Sequence, residues 1–498
     1  MRRSLLLLAV LLAVSSATLR ADQIDNLVMR GLDQMYSVQF DEAGRSFDQA
    51  IALDRNDPRG YFYRATLHLW SYIFGREGAQ LELFLKQCDQ TIAVAEKRLD
   101  ENDDPRARLF LGLTYGYKAI ANARAENFTA AALSGRTCYQ KLNELTRDNP
   151  NTWDAYLGLG IFHFIFGSIP KAGQVIGNLG GIKGDAQLGL KEIAITAQRG
   201  TYFKNDAQLI QALLAIYYLN DLDRGVETLS GIARRYPKNV ALQYAIGAAY
   251  MSNRRPDRAW SAFAVVVREA NPDFKLLTDL STIRCADIRF MKNDFAGARG
   301  YYQRYLQSSK EKVFQAHGWQ RLGICFEMEG KRDLALKAYA RVRTASEITS
   351  PEDRYAARKA RQYTAAPISS IERTLLRAIN AVAAGDWTSA MNEGVKAIGY
   401  GNLTPDQNAL AYYVIGRGYQ GLGKPQRGTD AYRLAAAQKV RAETWVAPFS
   451  YFYAAECYSA LGDRTHASQF LALAKRPMGY DFEGELRFLI ERDVTKID

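Results

Sequence analysis

Trp319-Gln-Arg-Leu322-Gly323-Ile-Cys325-Phe326, with Gly330, Ala335 and Tyr339 after it, is the stretch that decides the fold. Small residues stand at 323 and 335, twelve apart, and an aromatic follows four after the second. Residues four apart lie on one face of a helix, a turn from each other, so Ala335 and Tyr339 look the same way from one helix. Gly330 falls where the chain must turn, and glycine reaches left-handed backbone without steric cost. The stretch reads as two helices joined by a short turn and touching where only a small residue fits.

The same grid recurs along the chain. Gly31…Ala43-x3-Phe47 fits, as does Gly247-x2-Tyr250…Ala259-x3-Phe263, with Asn271-Pro272 beyond it. Ala286…Ala298-x3-Tyr302 carries Asn293-Asp294-Phe295 in its turn. Gly416-x2-Tyr419…Gly423…Gly428-x3-Tyr432 and Ala455-x2-Tyr458…Gly462-Asp463…Ala467-x3-Leu471 complete the clear copies. Ala378…Gly385-Asp386-Trp387…Ala390 is looser, and Leu213…Gly225-x3-Leu229…Tyr236-Pro237 is degenerate. A random helical bundle has no reason to keep this spacing. Before about residue 200 the period stretches. Tyr61–Leu99 reads as a hairpin of longer helices, and Leu111-Gly112-x2-Tyr115 opens another that closes near Asn149-Pro150. Trp153–Phe166 opens a third, whose second helix starts only at Asp185, after a glycine-rich insertion.

The quoted stretch resembles the tetratricopeptide repeat signature, W-x2-L-G-x2-Y…A-x3-F, a helical hairpin of roughly 34 residues that stacks on its neighbours. The resemblance implies an all-α solenoid of antiparallel hairpins, about eleven of them with one terminal helix. The divisions expected are 1–21 as a signal peptide, 22–200 as longer hairpins with an insertion over 167–185, and 201–345 as a central array. An irregular connection over 346–370 and a C-terminal array with a capping helix over 371–498 follow. Tyr156-Leu-Gly-Leu-Gly160-Ile-Phe-His-Phe164…Ile169-Pro170-Lys171…Gly184-Asp185…Gly189-Leu190 is similar to a hallmark region of a narrower family, that of the inclusion-body clearance protein and its animal relatives. Tyr480-Asp481-Phe482-Glu483-Gly-Glu485-Leu486-Arg487-Phe488 resembles the closing helix of such chains. That family implies no catalytic residues, and its eukaryotic members act inside cells.

The first residues point elsewhere. Met1-Arg2-Arg3-Ser4 precedes a short apolar run, Leu5–Val14, and small residues at Ser15-Ser16-Ala17 and Leu19-Arg20-Ala21 offer cleavage points after 17 or 21. This is the pattern of a secretory signal peptide, and the run is short for a membrane span. An exported, periplasmic or otherwise extracytoplasmic protein is expected. The formal net charge of +12 is spread over many helices, with Arg234-Arg235, Arg254-Arg255 and Arg354…Arg358-Lys359…Arg361 the densest places. A nucleic-acid binder concentrates such charge on one face with stacking aromatics. Solvated helix faces are the better reading, with weak attraction to an anionic membrane surface as a secondary role. The five cysteines, Cys88, Cys138, Cys285, Cys325 and Cys457, are scattered and odd in number, so they read as buried free thiols.

Motifs that carry chemistry are missing. His68, His163, His317 and His466 each stand alone, and no Cys or His pair has metal-ligand spacing. Gly177–Asp185 lacks the Gly-Lys-Ser/Thr ending of a phosphate loop. A non-catalytic protein with no cofactor or metal is expected. In a stacked array the inner wall comes mainly from the first helix of each hairpin. Counting from the small residue of the grid, that wall holds Tyr217, Tyr218, Tyr244, Met251, Phe290, Met291, Met328, Tyr413 and Phe452, with Arg417, Glu327 and Glu456 among them. These residues either fill a tight superhelix or form a groove that grips a protein segment, since aromatics and Met give contact area at low entropic cost. Lys, Arg and Asn are sparse there, which disfavours a clamp for an acidic terminus. The expected role is a scaffold or adaptor in the cell envelope for another protein or peptide segment, the alternative a carrier or docking protein for an apolar or lipid ligand within the N-terminal hairpins and their glycine-rich insertion.

Overall fold

A computed structural model describes residues 20–75, 78–168, 184–309, 313–342, 350–476 and 478–497, and every regular element among them is helical. The helices are α1 (20–36), α2 (Phe40–Leu53), α3 (Pro58–Gly75), α4 (Gly78–Glu101), α5 (Pro105–Arg124), α6 (Phe128–Asp148), α7 (Ala155–Ser168), α8 (Ala186–Arg199), α9 (Lys204–Tyr217), α10 (Leu222–Arg235), α11 (Val240–Ser252) and α12 (Pro256–Glu269). A 3-10 turn at Pro272–Phe274 leads to α13 (Lys275–Met291), α14 (Phe295–Ser308), α15 (Gln315–Met328), α16 (Arg332–Val342), α17 (Pro351–Ala365), α18 (Ser370–Ala384), α19 (Trp387–Ile398), α20 (Pro405–Gly421), α21 (Pro425–Ala436), α22 (Val446–Ala460), α23 (Arg464–Lys475) and α24 (Glu483–Ile497). Consecutive helices pair as hairpins from α1–α2 to α15–α16 and from α18–α19 to α22–α23. α17 and α24 stand outside that register. The stretched period before residue 200 is visible in α4, of 24 residues, against 14 in α9 and α10.

Local chemistry sets the boundaries. In nine hairpins one residue of the turn has positive φ. Gly330, Gly385, Gly423 and Gly462 fill that place in four of them, at 69–78°. Val38, Glu126, Asn220, Arg254 and Asn293 fill it in the others, at 54–62°. In five of the nine the second helix then starts on a carboxylate or amide cap. Asn127, Asp221, Asp294, Asp386 and Asp463 each accept a backbone N–H of the first turn.

The small residues of the grid are explained by rings. A Cβ placed on Gly247 would come to 2.8 Å from the Phe263 ring, and one on Gly416 to 2.6 Å from Tyr432. Gly31 faces Phe47 and Gly323 faces Tyr339 in the same way. The aromatic sixteen residues on occupies the space a Cβ would take, so in these hairpins the glycine makes room for the ring. Phe47, Phe263, Tyr339 and Tyr432 are all fully buried. The five cysteines are free and buried as expected. Burial pushes the thiols of Cys88, Cys138, Cys285 and Cys457 up to about 12, which leaves them inert.

The chain divides into two compact units, one running as far as Ile246 with Asn271–Lys275, the other holding Gly247–Ala270 and everything from Leu276 onward. In the first unit the array closes on itself. The Asn239 amide donates to the Tyr36 carbonyl at 3.1 Å, and the Tyr36 and Tyr236 rings lie 5.2 Å apart. Arg59 forks onto Asp57, with Nε to Oδ1 at 2.9 Å and Nη2 to Oδ2 at 2.6 Å, and also reaches Asp25 on α1, which the Tyr202 hydroxyl bonds as well. Asp154 accepts the backbone N–H groups of Thr201, Tyr202 and Phe203 at 2.9–3.1 Å. Between these clasps the rings of Phe62, Tyr63, Phe110 and Phe203 pack against one another at 5.0–6.3 Å. Residues 169–183, most of the glycine-rich insertion, and residues 1–19 of the expected signal peptide lie outside the described residues. The insertion's two ends meet. Asp185 N–H bonds the His163 carbonyl at 3.1 Å, and Gly167 and Gly184 pass too close for a side chain on either.

Candidate functional site

The expected inner-wall residues have several fates. Phe290 (1% exposed) and Phe452 (0%) are core, and Tyr413 and Arg417 are buried with them in the second unit. Arg417 lies 3.7 Å over the Tyr453 ring, 5.6 Å over Trp387, and donates to Gln420 at 3.1 Å. Burial works against its charge, and the neighbouring tyrosine oxygens and Glu456 still hold it above the ordinary range. Glu327 is buried too. It pairs with Arg332 and accepts the Ile368 N–H at 3.3 Å, which ties α15 to the start of α18. Met328 packs on the core containing Phe290, and Met291 lines a hollow with Lys292 and Arg377. Tyr244 and Met251 are half-buried. Tyr217 and Tyr218 remain open, at 37% and 39%, with Tyr218 edge-on to Phe164 at 4.7 Å. Within the second unit Tyr413, Arg417 and Phe452 share one core and Phe290 and Met328 another, so these residues are packed side chains rather than the lining of an open groove.

Open polar space is found instead along α17. Ser350 caps that helix by accepting the Asp353 N–H at 3.0 Å, and Pro351 opens its first turn. Arg354 and Arg358 then share one face, with Tyr355, Lys359 and Tyr363 beside them. Opposite lies the loop after α21. Asp406, in the first turn of α20, gathers it by accepting the N–H groups of Arg441 (3.2 Å), Ala442 (2.8 Å) and Glu443 (2.7 Å). Burial alone would push the Asp406 carboxyl up, but these three donors outweigh it and hold it below the ordinary value.

This loop turns Glu443 inward, where it is 2% exposed. It accepts the Trp445 indole N–H at 2.8 Å and lies 3.4 Å from Arg358 and from Lys359. Arg358 also bonds Asp481 at 2.8 Å, just before α24. Burial disfavours both cations. Glu443 and Asp481 keep Arg358 charged against it, and the Tyr363 and Tyr355 oxygens with Glu443 do so for Lys359. Phe482, at a φ of 65°, turns its ring onto Tyr355 (5.4 Å) and Trp445 (6.3 Å), which fixes the segment before α24 beside α17.

Two hollows flank this floor and share Arg441 and Ala442. The first, of about 650 Å³, is walled by Arg354, Arg358, Arg441 and Arg487, with Asp481, Glu483, Thr444 and Tyr480. The second, of about 600 Å³, has Leu375, Leu376, Ile379 and Leu410 at its base and Lys359, Glu372, Gln407 and Glu443 around them. The expected inner wall is poor in cations, and the arginines of this hollow lie elsewhere, on elements that belong to no repeat. They come from α17, the 437–445 loop and α24. The run Arg354…Arg358-Lys359 was legible as a basic spot but not as one wall of a hollow. Among the described residues no group of His, Cys, Asp and Glu is arranged to hold a metal ion, and no helix is long and apolar enough to cross a membrane.

Residues 210–274 match the family model of the tetratricopeptide repeat. Among curated proteins none matches the chain. Solved structures that resemble it include a tetratricopeptide repeat protein from Parabacteroides merdae, 13% identical over 58% of this chain and 98% of that one, with a TM-score of 0.27. Yeast Tom70 is 12% identical over 88% of this chain and 90% of its own, at 0.32. The TPR2AB domain of yeast Sti1, solved in complex with pHSP90, is 14% identical over 52% and 96%, at 0.21.

Proposed function

We propose that this tetratricopeptide repeat protein is a non-catalytic extracytoplasmic scaffold that holds a segment of another protein along α17. The observation that carries the reading is the pair of adjoining hollows sharing Arg441 and Ala442. Together they line adjoining stretches of wall on a floor tied together by Glu443, Arg358, Lys359 and Asp406. The charged groups of that floor are occupied in joining helices, which suits a binding surface better than a reacting one. Stacked hairpins also suit the role, since each packs only on its neighbours and leaves long faces free. In the first unit, Phe62, Tyr63, Phe110 and Phe203 fill the space between α3, α5 and residue 203, while residues 169–183 of the glycine-rich insertion, the place expected for a lipid ligand, lie outside the described residues.

A photoreactive amino acid at position 441, in the producing cell, tests the binding wall. Covalent capture of a protein from 441, and not from exposed Leu434 on α21, is the expected result; equal capture from both sites overturns it. The extracytoplasmic placement rests on Met1-Arg2-Arg3 and the apolar run Leu5–Val14. N-terminal sequencing of the protein from fractionated cells should begin after residue 17 or 21. An intact Met1 on cytoplasmic protein removes that part of the proposal.

A further inference from the structure

We infer that the segment held along α17 is recognised by its charge: a carboxylate side chain in the first hollow, with a large apolar side chain close by in sequence entering the second. This rests on the scaffold reading above and specifies its partner. The chain's own carboxylates show the chemistry. Asp481 sits on Arg358 at 2.8 Å, and Glu483 pairs with Arg487, both at the wall of the first hollow. Four arginines there face these two acids and, behind Arg358, Glu443, so the wall keeps an excess of positive charge. A guanidinium presents several donors in a plane and matches a carboxylate fork.

Arg441 is the best placed of the four. Its side chain is exposed, while its backbone N–H is anchored on Asp406. It also stands at the junction of the two hollows. Beyond that junction the character changes. Leu375, Leu376, Ile379 and Leu410 make an apolar base, and the charges around it, Lys359, Lys439 and Arg441 against Glu372, Asp406 and Glu443, balance. A segment crossing from one hollow to the other therefore meets net positive charge first and an apolar floor next. This wall lies outside the repeated helices, on elements that no repeat pattern dictates.

Fluorescence anisotropy on the purified mature chain tests the inference. The probe is a labelled peptide with adjacent glutamates beside a phenylalanine. Its comparisons are the same peptide with glutamines for the glutamates, and with serine for the phenylalanine. Each replacement should weaken binding by about tenfold, the equivalent of one good contact. Added salt should weaken the glutamate peptide more than the glutamine one. Arg441→Glu and, separately, Arg487→Glu should each weaken the glutamate peptide by about tenfold and leave the glutamine peptide unchanged. Both side chains are exposed, and circular dichroism checks that the fold is kept. Equal binding of the glutamate and glutamine peptides overturns charge recognition and leaves the scaffold reading standing. If neither peptide binds while position 441 still captures a protein in cells, this inference alone falls; if capture is lost as well, both do.

Discussion

Arg59 and Arg441 show two uses of one side chain. Arg59, in the first unit, is 1% exposed, forked onto Asp57 and shared with Asp25 and Tyr202. Burial works against its charge, yet Asp57 outweighs that and holds it charged, while Arg59 in turn keeps the Asp57 carboxyl below its ordinary range. Arg441, in the second unit, points into open space with only its backbone tied down. Desolvation makes the difference. A guanidinium stripped of water must be fully paired within the fold and so becomes a fastener. One left in water costs the fold little and stays available to a partner.

Breaking the fastener should have the largest effect. Arg59→Met leaves the buried Asp57 with only Arg98, 3.9 Å away, and about 3–5 kcal/mol of stability should be lost, read as a lower urea midpoint. A loss below about 1 kcal/mol would mean that the clasp does not hold the first unit closed.

Next comes the ring contact that the repeats share. Gly323→Leu drives a side chain into Tyr339 and should cost about 1–3 kcal/mol. Gly330 has open space around its Cα but a φ of 76°, so Gly330→Ala should cost about 1 kcal/mol through backbone strain alone. Equal thermal shifts for the two would show that the ring is not the reason for glycine at 323.

One recessed carboxylate in each unit should answer pH with the opposite sign to the other. In the first, burial pushes the recessed Asp206 up to about 6. Between its ordinary value and 6 the folded state holds more protons than the unfolded chain, so this group's contribution falls as pH rises through that window. Asp206→Asn should therefore gain stability at pH 8 relative to pH 4, by about 1–3 kcal/mol. In the second unit, burial of Asp287 is outweighed by His317 at 2.8 Å, by Arg284 and by the Tyr302 hydroxyl at 2.8 Å, which together hold its carboxyl well below the ordinary range. Its contribution is present above the ordinary carboxylate value and is lost as pH falls toward the depressed one. Asp287→Asn should cost most at neutral pH and less in acid. Parallel pH profiles for the two variants would contradict these environments.

The smallest effect belongs to Arg441→Ala. It should leave unfolding within about 0.5 kcal/mol of the parent while weakening capture of the partner segment. A large loss of stability would make Arg441 a fastener too.

The sequence by itself determined the hairpins, their order and the places where only a small residue fits. All three depend on contacts sixteen or fewer residues apart, such as Gly323 with Tyr339, and a spacing can encode those. It also showed, from scatter alone, that the cysteines carry no disulfide framework. Only the tertiary structure decided which inner-wall residues are core. Phe290 and Phe452 occupy grid positions like those of Tyr217, but how tightly an array winds depends on helix packing summed over several repeats. The hollow along α17 was legible only in fragments. Arg354 and Arg358, the loop at 441–443 and the segment at 481–487 lie far apart in sequence and follow no period. Asp406 gathers the loop and Phe482 docks on Tyr355, and both are contacts between distant residues that no local pattern contains.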